Sequence, residues 1–151
     1  MILEAFSKVK KSKLVIIGNW QNSAFGVAMK KAYSSFENIH LLDPIYDQDI
    51  LNQIRSNCSL YIHGHSAGGT NPSLVEAMYL ELCVVSFDVN FNMATTENAA
   101  LYFGTSDELV KILNDFDNED ILTDSYASRM KEIADLNYKW SIVADKYAAV
   151  F

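Results

Sequence analysis

The residues best suited to chemistry lie in one stretch, residues 59–76, which reads SLYIHGHSAGGTNPSLVE. A short apolar run predicts a buried strand, which passes through the pair Gly68 and Gly69 into a helix start. Asn71 is a good N-cap, and Pro72 stands where the first helical residue needs no N–H. Free backbone N–H groups at such a helix start favour an anion, and glycines let that anion come close. This stretch therefore predicts a ligand that carries phosphate.

Glu76 would stand near this phosphate site without touching it. A carboxylate in that position suits a bidentate hydrogen bond to the paired hydroxyls of a sugar. A structural interpretation is equally open, because many α/β domains have a strand–glycine–helix turn that binds nothing. The helix dipole alone also favours a glutamate in the first turns. The glycine spacing is less diagnostic than a full phosphate-loop motif, so these residues alone leave both interpretations standing.

The composition indicates a globular chain with an acidic surface. The 151 residues are 50% hydrophobic and 21% charged, which predicts one folded domain with a core of its own. The net charge of −7 argues against a general nucleic-acid or anionic-membrane surface. We find no membrane-length apolar run and no signal peptide, which favours the cytoplasm. Cys58 and Cys83 lack metal-type spacing and are predicted to be reduced, buried thiols.

Strand and helix patterns alternate along the chain. Because the predicted strands are continuously apolar, they indicate an α/β fold with a parallel sheet covered on both faces. The predicted strands are Leu14–Ile17, Ile39–Leu42, residues 60–62, Cys83–Phe87 and Leu101–Phe103. The helical patterns are residues 2–9, 24–36 and 47–54, and the stretch from Asn71. The C-terminal third is also helical; it starts at Thr105 with a capping box to Glu108 and breaks around residues 115–120. Residues 88–92 are predicted to be a loop.

The predicted strand ends carry polar residues or glycine. In open parallel sheets, ligands bind beyond the carboxyl ends of the strands, so these ends should share one rim. A purely structural sheet has no need of such residues at each strand end, which favours a ligand site. The ends are Gly18 and Asn19; Asp43, Pro44 and Ile45; residues 63–70; and Asp88, Val89 and Asn90.

Four segments together resemble the C-terminal half of retaining, two-domain (GT-B fold) glycosyltransferases of family 4. They are LVIIGN, HLLDPIYD, GGTNPSLVEAMYLELCVVSFD and YKWSIVADKYAAVF. The HGHS-x-GGTNPSL-x-EAM segment is similar to the branch often labelled rhamnosyltransferase. The resemblance spans nearly the whole chain. It implies a single Rossmann-like, three-layer domain over residues 1–151 that binds a nucleotide-diphosphate sugar, while an N-terminal half outside this chain holds the acceptor.

The resemblance also implies roles for individual residues. Glu76 matches the second glutamate of a Glu-x7-Glu motif, which holds the ribose hydroxyls of the donor. No catalytic residue is assigned. The residues implied in binding the diphosphate and donor sugar are Gly18, Asn19, His65, Gly68, Gly69, Thr70, Asn71 and Ser73. Those implied to pack against the base are Asp43, Pro44 and Ile45.

Two departures from the family pattern stand out. The first glutamate of the motif would be residue 68, which is Gly68 here. The family's domain also starts with a strand ending in an arginine, followed by a lysine, and this chain begins after them. In the usual strand order, 3-2-1-4-5-6, the missing strand is central, so we expect a gap between Leu14–Ile17 and Leu60–His63 that either closes or is filled by a second copy. We therefore expect a truncated or excised fragment that can form a homodimer. We expect it to bind its donor weakly and to transfer nothing by itself.

The resemblance implies an enzyme that transfers a sugar with retention to a glycan or lipid-linked acceptor, with no cofactor and no essential metal. Its setting would be a bacterial polysaccharide pathway, in the cytoplasm or peripheral at the inner membrane. Asp47, Gln48 and Asp49 form a literal D-x-D, but acidic residues are expected at a helix start. A nucleotide-binding module without catalysis is the alternative. A phospho-acceptor signalling domain is disfavoured, because the chain lacks an acidic pair after its first strand.

Several aromatic residues have two interpretations. His65 faces the donor sugar or is a hydrogen-bonded structural histidine, and for His63 the structural interpretation is favoured. Tyr138, Trp140 and Tyr147 form a stripe that either offers a carbohydrate platform or is the packing face of the last helix, which in the family crosses toward the other half.

Overall fold

A computed structural model describes residues 1–150 of the chain. These residues form an α/β fold in which every paired strand is parallel to its neighbour, as the sequence predicted. The strands are β1 (Leu14–Ile17), β2 (Ile39–Leu42), β3 (Leu60–His63), β4 (Cys83–Phe87) and β5 (Leu101–Phe103). The helices are α1 (Ile2–Lys8), α2 (Ala24–Tyr33), α3 (Gln48–Ser56), α4 (Pro72–Tyr79), α5 (Asn90–Thr95), α6 (Ser106–Asp117), α7 (Thr123–Asn137) and α8 (Trp140–Ala148), with a 3-10 turn at Trp20–Asn22.

The chain divides into two compact units, and each is described by itself. Unit 1 comprises Met1–Leu51 and Gly104–Ile121, and unit 2 comprises Asn52–Phe103 and the residues from Leu122 onward. Helix α3 begins in unit 1 and ends in unit 2. The prediction of one domain over residues 1–151 concerns the whole chain and stays a prediction.

Unit 1 contains a two-stranded sheet in which β1 pairs with β2, from Leu14 beside Ile39 to Ile17 beside Leu42. Its buried residues come from α1, both strands and α6. The predicted capping box opens α6, since the side chains of Thr105 and Glu108 each bond the other's backbone N–H. The buried residues are Ala5, Phe6, Val9, Leu14, Ile39, Leu109 and Leu113.

Unit 2 contains a three-stranded sheet in the order β3-β4-β5. Strand β4 is central, and its first four residues are all buried. Helices α4 and α7 contribute the side chains that pack with it into one core. That core consists of Leu74, Met78, Val84, Ala100, Met130, Ile133 and Ala134.

The structure corrects several details of the sequence prediction. The strands of residues 1–150 form two sheets rather than one, with the orders β1-β2 and β3-β4-β5. Residues 90–95, within the predicted loop and beyond it, form α5. Cys83 is buried as predicted, but Cys58 is exposed, because it follows the end of α3. Val15 and Leu42, predicted to be covered, are exposed. Within residues 1–150 we find no helix long and apolar enough to cross a membrane.

A close contact at Gly26 yields a stability test of unit 1. A Cβ on Gly26 would lie 2.5 Å from the backbone oxygen of Trp20, and the Trp20 indole N–H is fixed by a 2.7 Å hydrogen bond to the Leu42 carbonyl. We expect Gly26→Ala to destabilise the protein by about 1–3 kcal/mol, because this crowding exceeds the helix propensity gained.

Thermal or urea unfolding measures this loss. Gly18→Ala is the matched control, since a Cβ there meets nothing within 4 Å. Equal stability of the two variants would contradict the predicted clash.

Candidate functional site

The predicted start of α4 is present in unit 2. The Asn71 side chain caps the helix by accepting hydrogen bonds from the Ser73 backbone N–H (2.9 Å) and the Ser73 hydroxyl (2.7 Å). Pro72 is the first helical residue, as predicted. Glu76 follows one turn later.

The backbone donors differ from those that the sequence predicted. The N–H groups of Leu74 and Val75 both donate to the Asn71 carbonyl, and the Ser73 N–H donates to the Asn71 side chain. The first N–H groups of α4 are therefore occupied. Within the part of the chain that the structure describes, the N–H groups of Gly68 and Gly69 have no such partner. The loop before α4, more than the helix itself, offers donors to an anion.

Residues 65–70 form this loop, and α5 holds both of its ends. The buried Asn92 side chain donates to the His65 carbonyl and to the Phe87 carbonyl, each at 3.0 Å. At the other end, the Thr95 hydroxyl donates to the Phe91 carbonyl of its own helix at 2.7 Å and accepts a hydrogen bond from the Thr70 hydroxyl at 3.2 Å. Sequence reasoning missed α5, whose asparagine-rich sequence indicated a loop.

The resemblance aligns Gly68 with the first glutamate of the Glu-x7-Glu motif. The φ of Gly68 is +108°, a conformation that L side chains rarely adopt. A glutamate here would be strained, so this loop conformation and the usual carboxylate are incompatible. Gly68 and Gly69 are both exposed, which leaves their backbone open to a ligand.

Glu76 is already paired with a cation. Arg55, at the end of α3, places its Nη1 2.6 Å from the Glu76 Oε2. The Arg55 side chain is 19% exposed and that of Glu76 is 42% exposed. Beneath them, burial raises the pKa of Tyr61, which also hydrogen-bonds Ser73. The sequence analysis did not identify Arg55 as a residue of the site. The only sign of it in the sequence is that an arginine occurs on the amphipathic helix α3.

The two histidines of this region belong to a line of rings on unit 2. The ring centroids of Tyr61 and His63 lie 6.1 Å apart, those of His63 and His65 5.9 Å apart, and those of His65 and Phe91 6.4 Å apart. His63 is only 4% exposed, whereas His65 is exposed beside Gly68. Burial lowers the pKa of His63 to about 4, and nearby His65 contributes to the same shift. His63 is therefore a neutral ring at pH 7.

The other predicted residues lie in unit 1, at one end of its sheet. The Gly18 N–H donates to the Leu42 carbonyl at 3.2 Å, which brings the ends of β1 and β2 side by side. Asn19 is exposed, and the Asp43 carboxylate is ion-paired with Lys30 at 2.8 Å. Pro44 and Ile45 are half-buried. The structure therefore groups Gly18, Asn19, Asp43, Pro44 and Ile45 in unit 1, and His65, Gly68, Gly69, Thr70, Asn71, Ser73 and Glu76 in unit 2.

A groove of about 500 Å³ lies beside α4 in unit 2. The Tyr138 hydroxyl donates to the Thr95 carbonyl at 3.0 Å, so this ring packs on the unit. Trp140 is 86% exposed and Tyr147 69% exposed, so both interpretations of the stripe stay predictions. The lining includes Pro72, Val75, Glu76, Tyr79, Tyr138 and Trp140.

The D-x-D sequence serves as a helix cap. The Asp47 side chain accepts hydrogen bonds from the backbone N–H groups of Asp49 (3.0 Å) and Ile50 (3.1 Å). In residues 1–150, no group of three or more His, Cys, Asp or Glu side chains is arranged to hold a metal ion. The geometry therefore gives this motif a structural role.

Comparison with known proteins identifies the family of this chain. The family described as "Glycosyl transferases group 1" matches residues 1–134. The chain belongs to this family. No curated protein sequence matched the chain.

Three solved structures illustrate the shared fold. HepE from Anabaena, in complex with UDP, superposes with a TM-score of 0.81 at 19% identity, covering 99% of this chain and 43% of HepE. A sucrose-phosphate synthase from Thermosynechococcus elongatus gives 0.81 at 13% identity, covering 98% and 40%. WaaG, a glycosyltransferase involved in lipopolysaccharide biosynthesis, gives 0.71 at 17% identity, covering 98% and 41%. The chain thus has the fold of the C-terminal domain of GT-B glycosyltransferases and spans about two fifths of these proteins.

The buried histidine predicts a pH dependence of stability. Below its ordinary pKa of 6.5, His63 gains a proton in the unfolded chain, but in the folded chain only near pH 4. Stability must therefore fall as the pH drops from 6.5 to 4, by about 3 kcal/mol from this group. We expect His63→Phe, which keeps a planar ring, to lose less stability over this range than the wild type.

Urea unfolding between pH 4 and pH 7 measures the slope. His40→Phe, at an exposed position of unit 1, is the control and should keep the wild-type slope. If His63→Phe and His40→Phe show the same slope, the buried histidine is not its source.

Proposed function

We propose that this chain is the donor-binding part of a glycosyltransferase and that it binds a nucleotide-diphosphate sugar. The observation that carries this proposal is the fixed glycine loop of unit 2, with open backbone donors at Gly68 and Gly69 and a carboxylate, Glu76, one turn into the next helix. Such a loop accepts phosphate oxygens, and a carboxylate beyond it accepts the hydroxyls of a ribose. Membership of the glycosyltransferase family supports the same conclusion.

The bound ligands of structural relatives support a nucleotide as the ligand. HepE is known in complex with UDP and in complex with UDP-glucose, and both superpose on this chain with TM-scores of 0.80–0.81. We extend this ligand class, rather than one base or sugar, to the present chain. The resemblance further assigns Asp43, Pro44 and Ile45 to the base, and Gly18 and Asn19 to the donor.

The finer assignment rests on resemblance. The HGHS-x-GGTNPSL-x-EAM segment favours family 4 and its rhamnosyltransferase-like branch. The reaction would retain the anomeric configuration and use a glycan or lipid-linked acceptor held by another part of a longer enzyme. It would need no essential metal, and it would take place in the cytoplasm or at the inner face of a bacterial membrane.

Nucleotide binding without transfer is a second candidate function. Gly68 favours it, because the position that carries a carboxylate toward the donor sugar in the family has no side chain here. A chain that binds a nucleotide sugar and leaves it intact, alone or within a longer protein, would have this function.

A calorimetric or NMR titration with UDP, dTDP, GDP and their sugars tests the proposal. We expect one nucleotide to bind, and we expect Glu76→Ala to weaken it about tenfold or more, since hydrogen bonds to a charged group are lost. Glu132→Ala is the matched control, because Glu132 also accepts from an arginine, Arg129, at 2.6 Å in unit 2.

The control should bind like the wild type. A folded wild-type chain that binds none of these ligands would contradict the proposal, and so would a Glu76→Ala variant with wild-type affinity.

A further inference from the structure

Arg55 covers part of the carboxylate that the proposed function assigns to the ribose. It is one of the two arginines of the chain, and its Nη1 lies 2.6 Å from the Glu76 Oε2. The arginine is the more buried partner, at 19% exposure against 42% for Glu76. The open side of the pair is therefore the glutamate.

Three elements of unit 2 fix this pair. Arg55 comes from the last turn of α3 and Glu76 from the second turn of α4. Tyr61 of β3 hydrogen-bonds the Ser73 side chain and lies within the electrostatic influence of both charged groups. Burial raises the pKa of Tyr61, so the group beneath the ion pair is a neutral phenol at pH 7.

The contact geometry leaves acceptor capacity on Glu76. An ionised carboxylate has about four lone-pair positions, and Arg55 occupies one of them on Oε2. Among the contacts of residues 1–150, Oε1 and the second lone pair of Oε2 remain for two hydroxyl donors. Because the ion pair restrains the glutamate torsions before a ligand arrives, less side-chain entropy is lost when the diol binds.

The ion pair also offsets the negative charge of Glu76 close to an anionic ligand. The chain has a net charge of −7, and a nucleoside diphosphate is itself an anion. An unpaired carboxylate one turn from the diphosphate loop would repel that ligand, and the repulsion is stronger in a partly buried site than in water. Arg55 cancels this charge locally and leaves the hydrogen-bonding oxygens in place.

We propose that Arg55 is a positioning residue that presents the Glu76 carboxylate to the 2′- and 3′-hydroxyls of a ribonucleotide, and so sets the preference for ribose over 2′-deoxyribose. This inference rests on the proposed function of Glu76. It adds a specificity determinant outside the glycine loop and helix α4.

Titration with UDP and 2′-deoxy-UDP, compared across variants, tests the inference. We expect the wild type to prefer UDP about tenfold, because the 2′-deoxy ligand leaves one carboxylate position unpaired. Arg55→Gln should weaken UDP binding about tenfold and 2′-deoxy-UDP binding less, so that the preference falls to about threefold or lower. Arg55→Lys, which restores the positive charge, should show an intermediate preference.

Two controls separate this effect from a general loss of charge or fold. Arg129→Gln removes the other arginine, which pairs with Glu132 at the same 2.6 Å, and should leave both affinities unchanged. In a Glu76→Gln background, Arg55→Gln should change UDP affinity less than twofold. Thermal unfolding checks that each variant is folded, and Arg55→Lys carries the test if Arg55→Gln does not fold.

The possible outcomes separate a failure of this inference from a failure of the proposed function on which it rests. If Glu76→Gln keeps wild-type affinity and preference, the ribose role of Glu76 is wrong and the inference falls with it. If Glu76→Gln weakens UDP binding but Arg55→Gln keeps the full preference, only the positioning role is wrong. If the wild type binds GDP rather than UDP, GDP and 2′-deoxy-GDP replace the uridine pair in these titrations. A wild type that binds the ribonucleotide and its 2′-deoxy form equally, or that binds dTDP most tightly, overturns the inference.

Discussion

The packing of α4 is the constraint on which the candidate site of unit 2 depends. Leu74, Ala77 and Met78 are all fully buried, and they recur at the three- and four-residue spacing of one helix face. Burial of the two larger side chains contributes about 2–3 kcal/mol each. Since the rotation of the helix is set by that face, the direction in which Glu76 leaves the other side is set as well. The hydrophobic core thus positions the carboxylate.

A polar constraint complements this apolar one. Asn92 is fully buried and donates to two backbone carbonyls, one at each of two strand ends, so it connects the loop after β3 to the end of β4. Buried amide groups are costly unless paired, which means that this arrangement is lost as a whole if the loop moves away. The glycine loop can therefore present an open backbone without being loosely attached.

The sequence predicted best what short-range signals determine. Asn71 with Pro72, and Thr105 with Glu108, are adjacent or three residues apart, and both caps are present where expected. The continuous apolar runs located all five strands. The candidate site was predicted in outline, because a glycine loop between strand and helix is also a local pattern.

The features that the sequence did not predict depend on contacts between distant residues. Helix α5 has no apolar period, and its Asn92 finds one partner 27 residues away at His65. Arg55 and Glu76 are 21 positions apart on different helices, and no periodicity within either helix connects them. Cys58 was placed by the usual preference of its residue type, whereas its exposure follows from where α3 ends.

The net charge of the chain explains why the loop N–H groups and the Arg55–Glu76 pair matter together. A chain of net charge −7 repels an anionic ligand at long range, so attraction must come from groups within a few ångströms of it. Backbone N–H groups supply that attraction without a charge that would need burial, and the Arg55–Glu76 pair keeps a carboxylate in reach while its charge is compensated. On this argument, the nucleotide proposed as the ligand would be selected by local hydrogen-bond geometry rather than by the overall field of the protein. The loop, the start of α4 and Arg55 all lie in unit 2, where α5 holds the loop, the Asn71 side chain caps α4, and α3 carries Arg55.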